Sequence, residues 1–332
     1  ANLMMRHRTV PYDTGDLRDT LAHAAAAFDE PQGFSALLTA TRIARQTRLG
    51  GSGALPGPAV VLAGDGGDEA FGGYAWHSQA DHPLALHAFD ADDARLAKRP
   101  IEHAAIARTL SDPSLSPRER DAAAMSLSRL SYTHRYLCRL FAGFHPAESR
   151  TLLGALEPHY DHTTFAEWLA PEDRPDLPHP RRAQRLDIYG FCAGSILPKL
   201  DRSAMSVALE VRSPFLDRRI LDWSLARPIE HIEGEPGVSK PVLRRFLSRG
   251  VEAGLVPREV LTRRKQGFSL KMAQARPFER LAPDLLATSR LLRDGIVRSD
   301  YASFLPAYAE AREMRLCTLC MVAAWYEHRA SV

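Results

Sequence analysis

The residues best placed to do chemistry lie in the run Leu62-Ala-Gly-Asp-Gly-Gly-Asp-Glu-Ala-Phe-Gly-Gly-Tyr74. Gly64, Gly66 and Gly67 surround Asp65 and precede Asp68. Glycine lets a backbone turn tightly and approach a ligand closely. Backbone N–H groups in such a turn hold phosphate oxygens. Two carboxylates in the same loop cannot themselves bind phosphate, because like charges repel. They fit a divalent cation bridging carboxylate to phosphate, since Mg²⁺ typically uses one or two carboxylates plus substrate phosphates. One of them could instead orient an amine nucleophile. A bare Gly-Asp-Gly is more often a surface turn, and it is the long continuation to Tyr74 that argues for a site.

The elements that must position this loop can be read around it. Ala59-Val-Val-Leu-Ala63 is short, apolar and bounded by glycines, so the pattern predicts a buried parallel strand. A loop leaving the carboxyl end of such a strand is where open α/β sheets bind ligands. Upstream, Asp16 to Phe28 and Phe34 to Leu49 have helical spacing, with Asp13 and Thr14 as candidate caps of the first. Residues 50–58, rich in Gly and Pro, predict a loop. Downstream the chain is helix-rich: Arg118 to Phe144, then Arg182 to Leu209 with an interruption at Leu197-Pro198, then a closing helix over Pro306 to His328 with Leu316, Leu319, Val322 and Trp325 inward. Pro171 to Pro180 breaks the pattern. One strong strand among many helices predicts an α/β layer with a large helical elaboration.

Beyond this anchor the bulk properties mainly exclude. The 332 residues suit one large domain or two ordinary ones. Forty-three basic residues against 40 acidic ones, net +3, give no concentrated basic face, which argues against nucleic acid. No apolar run nears the roughly 20 residues a membrane helix needs, and Ala1-Asn-Leu-Met-Met-Arg-His-Arg8 lacks the apolar stretch of a signal peptide. A cytoplasmic protein is expected. Cys138, Cys192, Cys317 and Cys320 are too few for a disulfide framework. Cys317 and Cys320 have the spacing of half a zinc site, but without a second pair they are expected to be core thiols. His77 is expected at the surface, and Arg181 and Arg182 as solvated charge. Tyr74 and Trp76 are expected in the core or at its rim.

The anchor run resembles the Ser-Gly-(Asp/Glu)-Gly-x-Asp-Glu-x-Phe-Gly-Gly-Tyr signature of asparagine synthetases. Further matches follow in family order. They are Asp29-Glu-Pro31, then Lys199-Leu-Asp-Arg-Ser-Ala-Met205 with Leu209-Glu-Val-Arg-Ser-Pro-Phe-Leu-Asp217, then Ser239-Lys-Pro-Val-Leu-Arg244, then Arg263-Arg-Lys-Gln-Gly-Phe268. The resemblance covers nearly the whole chain. It implies a partial adenine-nucleotide α-hydrolase-like (PP-loop ATPase) domain: residues 1–90 as the carboxyl-terminal portion of the nucleotide-binding α/β core, and residues 91–332 as the helix-rich remainder packed on that core.

The same resemblance implies an AMP-forming amide ligase that uses ATP and Mg²⁺. A carboxylate attacks the α-phosphate, pyrophosphate leaves, and ammonia or an amine displaces AMP. Asp68 matches the Mg²⁺-binding carboxylate. Asp65 matches an acidic position beside the acyl-adenylate, where β-lactam-forming relatives carry Tyr. Gly64, Gly66 and Gly67 fall in the nucleotide loop, Lys265 on the lysine that reaches the reacting phosphate, and Lys240 on a second lysine near the phosphates. Asp201, Arg202 and Arg212 are expected either to bind substrate or to support the site, Arg212 alternatively pairing with Glu210 or Asp217. The substrate expected is a small-molecule or peptide carboxylate.

The chain also departs from the family. The Ser-Gly-Gly-x-Asp-Ser pyrophosphate loop has no match in these residues, the closest text being Gly50-Gly-Ser-Gly53, and the chain is expected to start downstream of it and of the family's amino-terminal glutaminase with its leading Cys. Ala63 stands where the family usually has Ser. Three expectations stay open: a separate polypeptide supplies the loop and with it a glutaminase, the chain is cut from a longer precursor, or it is a remnant that binds without turnover. The alternatives to an asparagine-type ligase are a natural-product amide ligase or peptide cyclase, and a non-catalytic scaffolding subunit.

Overall fold

A computed structural model describes residues 9–10, 16–49, 57–77, 114, 132–133, 136–137, 144, 146–159, 164–228, 239–263, 276–306 and 309–331. Lys265, Cys138, Asp13, Thr14, most of the 50–58 loop and most of the expected 118–144 helix lie outside the described residues.

The described chain is mostly helical, with one two-stranded parallel sheet. Its main elements are α1 (Leu17–Ala27), α2 (Ala36–Leu49), β1 (Val60–Leu62), α3 (Gly67–Phe71), α4 (His179–Leu186), α5 (Leu197–Met205), β2 (Glu210–Arg212), α6 (Arg218–Leu225), α7 (Pro241–Glu252), α8 (Pro277–Ala287) and α9 (Ala309–Ser331). The largest apolar cluster joins α1, α2, α8 and α9 through Leu21, Leu38, Phe278, Leu286, Leu316 and Cys320. A second cluster lies beneath the anchor loop, where Tyr136, Leu169, Leu186, Phe191 and Ile196 meet Phe34, Tyr74 and Trp76.

β1 pairs with β2 in register Val60 to Glu210, Val61 to Val211 and Leu62 to Arg212. The strand is parallel as its sequence predicts, but it is not buried. Val60 is 42% exposed and Leu62 74%. Strand side chains alternate, so only Val61 turns toward the small cluster of Ala44, Ala204 and Leu209, and its two neighbours point to the opposite face.

The interruption expected at Leu197-Pro198 is a change of helical register rather than a break. Asp187–Ile196 forms a π-helical segment between α4 and α5, and the Leu197 N–H donates to the Cys192 carbonyl five residues back. Proline has no N–H and its ring crowds the carbonyl four residues earlier, so a wider turn before Pro198 relieves the clash. The Pro171–Pro180 stretch is a short 3₁₀ turn followed by loop, and α4 starts at His179.

Candidate active site

The loop after β1 begins with the Ala63 N–H donating to the Arg212 carbonyl at 2.9 Å, which ties it to the end of β2. Gly66 then adopts φ 87°, and a Cβ there would fall 2.3 Å from Leu216 Cδ2. Both the backbone angle and the space require glycine. Around Gly64 the space is open, with no atom within 4 Å of where a Cβ would sit. The turn leads into α3, whose first turn carries Asp68 and Glu69.

Asp68 meets a cation from far along the chain. Lys240 Nζ is 2.8 Å from Asp68 Oδ1, both side chains being partly exposed. Gly73 makes the approach feasible, because a Cβ there would lie 1.7 Å from Asp68 Oδ1 and 2.7 Å from Lys240 Cε. Lys240 itself has φ 55°, immediately before Pro241 opens α7, and its N–H donates to the Gly72 carbonyl at 3.3 Å. A non-glycine residue in the left-handed region is held there by its surroundings, and such residues cluster at functional sites.

Asp65 meets a second lysine. Lys199 Nζ is 3.8 Å from Asp65 Oδ1, and Lys199 is 5% exposed. Its burial pulls the ammonium below the ordinary lysine range, against the opposing pull of Asp65 and Glu69. The sequence places Lys199 at the head of a family-like motif, but residue-level reading assigns it no part in the site. Burial was the missing signal.

Beneath the loop lies a buried polar network. Glu69, 1% exposed, accepts from the Tyr74 hydroxyl at 2.5 Å, and burial raises its carboxyl above the ordinary range. The Tyr74 ring stacks on Trp76 at 4.4 Å. Asp187, fully buried, accepts from Trp76 Nε1 at 2.9 Å and from the Tyr136 hydroxyl at 2.5 Å, and it also contacts His77 Nε2. His77 is therefore a core residue and not the surface histidine its sequence context suggests. Its neighbours, two aromatic rings and a carboxylate, supply the burial that a single sequence position cannot reveal.

Gln184 holds α3 from below. Its side-chain amide donates to the Glu69 and Ala70 carbonyls at 3.0 Å each, and Ser224 Oγ also donates to Ala70. Arg181 and Arg182 are 6% exposed rather than solvated. Arg181 donates to the Ser224 carbonyl at 3.0 Å, and Arg182 pairs with Asp173 and lies over the Tyr132 ring. Guanidinium groups tolerate such burial because their five donors can all be engaged.

The other sequence-derived residues divide. Asp65 and Asp68, three positions apart, each meet a lysine from a different helix start. Arg202 instead pairs with Asp29, which Arg329 also contacts at 3.2 Å, so two family-like motifs meet at the surface. Arg212 pairs with Glu210 at 2.7 Å along its own exposed strand, and Asp217 caps α6 by accepting from the Arg219 N–H at 2.9 Å. Asp201 is exposed on α5. Cys317 and Cys320 are buried free thiols, and among the described residues no three His, Cys, Asp or Glu side chains are arranged to hold a metal. Among the described residues no helix is long and apolar enough to cross a membrane.

A parallel-strand loop carrying two acidic residues, each facing a lysine, defines a candidate charged-ligand site on a mostly helical α/β scaffold. The chain belongs to the asparagine synthase family, whose model matches residues 1–327. It is similar to the putative glutamine-hydrolyzing asparagine synthetase of Mycobacterium tuberculosis, 29% identical over 242 residues, covering 72% of this chain and 33% of that protein. It is 28% identical over 211 residues to glutamine-hydrolyzing asparagine synthetase 1 of Bacillus subtilis, covering 63% of this chain and 30% of the relative. A 71-residue stretch is 35% identical to the human glutamine-hydrolyzing asparagine synthetase, covering 21% of this chain and 12% of that protein. The chain thus spans about a third of the length of the bacterial relatives it matches. No solved structure matches.

Proposed function

We propose that this chain carries part of the active site of an ATP-dependent, AMP-forming amide ligase of asparagine synthetase type, on a partial PP-loop-like nucleotide domain. Residues 1–90 form the nucleotide-binding portion and residues 91–332 the helix-rich remainder. The observation that carries the reading is the Asp68–Lys240 pair, which joins a carboxylate and a cation 172 positions apart at the end of a parallel strand. The bacterial relatives are named as glutamine-hydrolyzing asparagine synthetases. The same class of reaction is proposed here for a small-molecule or peptide carboxylate in the cytoplasm, with a pyrophosphate loop and a glutaminase supplied by another polypeptide or another part of a longer chain.

In this reaction a substrate carboxylate oxygen attacks the α-phosphorus of ATP, and the bond to pyrophosphate breaks. The nitrogen of ammonia or an amine then attacks the acyl carbon, AMP leaves, and one proton is lost. Lys240, and Lys265 from its motif, place positive charge where phosphate charge moves, which is the largest kind of stabilisation such chemistry admits. Gly64, Gly66 and Gly67 let the backbone come close to phosphate. Asp65 accepts an N–H of the attacking nitrogen.

Asp68 fits an Mg²⁺ carried with nucleotide phosphates. It is a partly exposed carboxylate without a cage of further acidic ligands among the described residues, and Mg²⁺ takes one or two carboxylates plus phosphate oxygens. When bound, Mg²⁺ would neutralise phosphate charge. Lys240, now paired with Asp68, would then be free to offer its charge to a phosphate oxygen.

The test is pyrophosphate release from ATP with aspartate and ammonia. The 332-residue chain alone is expected to give none, and the chain with the polypeptide encoded immediately upstream is expected to give an amine-dependent signal. Asp68→Asn is expected to abolish that signal while far-UV circular dichroism stays unchanged. Full activity in folded Asp68→Asn would remove the metal role.

A further inference from the structure

Lys199 is the cation for which the reaction outlined above has no use. It stands directly after Pro198 near the start of α5, a helix packed on α2 through the buried Thr41–Ser203 hydroxyl contact at 3.1 Å. Its stem is therefore held by a rigid element. Its Nζ points at the loop after β1, 3.8 Å from Asp65 Oδ1.

Among the described residues, the ammonium feels Asp65 from the loop, Glu69 from α3 and Cys192 from the π-helical segment. Burial pushes the Cys192 thiol up to about 12, so it is neutral. Glu69 is turned to the Tyr74 hydroxyl, which donates to it at 2.5 Å. Asp65, 3.8 Å from Nζ and with its side chain 22% exposed, is a counter-charge that can also reach a ligand. A buried ammonium is stable only when a charge partner compensates its lost hydration. The pairing therefore constrains both groups. It pins the Asp65 carboxylate from the inside of the loop, while Lys240 meets Asp68 at 2.8 Å.

We propose that Lys199 is the positioning residue for Asp65, a buried ammonium on a packed helix that fixes the carboxylate in the orientation from which it meets the attacking nitrogen. The pairing is a property of this chain, and its purpose rests on the amide-ligase reading above.

The experiment separates the two. The chain has five lysines: Lys98, Lys199, Lys240, Lys265 and Lys271. Lysine labelled with ¹³C and ¹⁵N gives one side-chain signal for each, assigned with Lys199→Arg and Lys240→Arg. In Asp65→Asn the Lys199 signal is expected to move and its titration midpoint to fall further, because burial then acts unopposed by the nearest carboxylate, while the Lys240 signal stays in place. Asp68→Asn is expected to do the reverse. A Lys199 signal unmoved in Asp65→Asn overturns the pairing, whatever reaction the protein performs. In the reconstituted ligase, Lys199→Met is expected to lower kcat on the order of 10- to 100-fold with KM for ATP unchanged, and Lys199→Arg to recover part of the loss. A folded Lys199→Met with wild-type kcat overturns the positioning role. A wild-type assembly with no amide formation overturns the ligase reading, and the signal test still decides the pairing.

Discussion

His179 is a half-buried imidazole with both ring nitrogens engaged. Nε2 must donate to the Trp76 carbonyl at 2.8 Å, so in the neutral ring Nδ1 accepts from the Tyr132 hydroxyl at 2.9 Å. Burial lowers its pKa to about 4. A histidine depressed in the folded state remains neutral there while the unfolded chain takes up a proton. Stability is therefore lost as pH falls from about 6.5 toward about 4, by up to about 3 kcal/mol at the lower limit. Urea unfolding at pH 7 and pH 4.5 measures this, and in His179→Gln, which keeps a donor for the Trp76 carbonyl, the difference is expected to shrink. Asp68 and Asp65 were legible at this scale because a long glycine- and acid-rich run is a rare pattern. The depressed His179 and the buried His77 were not, because burial depends on chain segments about 100 positions away.

At the scale of elements, α3 is too short to be stable alone. It has five residues, and isolated helices below about 12 residues are marginal in water. Gln184 and Ser224 take the carbonyls of Glu69 and Ala70, which lie in its last turns. Gln184→Ala leaves these acceptors and Ser224 without their shared partner inside the protein. The expected cost is about 1–3 kcal/mol in denaturant unfolding. The π-helical segment before Pro198 has its origin in the sequence, since proline forces a register change, but its consequence lies in space. A wider turn rotates everything downstream, and Lys199 is the next residue after the proline. The strand was legible in its type and direction, while its exposure was not, because that depends on what covers the sheet.

Among the described residues, the largest apolar cluster is built from helices other than those that carry the candidate site. The cluster of α1, α2, α8 and α9 is apolar, and at its edge Arg315 donates to Glu148 through both Nη atoms, at 3.0 and 2.9 Å, with both residues buried. Breaking one partner of a buried pair leaves an uncompensated charge, so Glu148→Gln is expected to cost about 3–5 kcal/mol and to lower Tm. α9 contributes a further tie. Glu313 accepts from the Phe278 and Glu279 N–H groups at 3.0 Å each and so caps α8 from a helix far along the chain. The same helix carries Cys317 and Cys320, and burial pushes the Cys320 thiol up to about 12. Protonated core thiols are poor metal ligands, so EDTA is expected to leave Tm unchanged and elemental analysis to find no stoichiometric zinc.

By itself the sequence determined the family, the glycine- and acid-rich loop, the helical bulk and the position of one parallel strand. These follow from local residue patterns, and glycine spacing, helical periodicity and ordered motifs are all written along the chain. Tertiary structure alone decided which cation meets which carboxylate. Lys240 reaches Asp68 only because Gly73 clears the path, and Lys199 reaches Asp65 only because α5 is packed on α2 beneath the loop. Electrostatic pairing depends on distance and burial, and both arise when segments more than 100 residues apart are brought into one site.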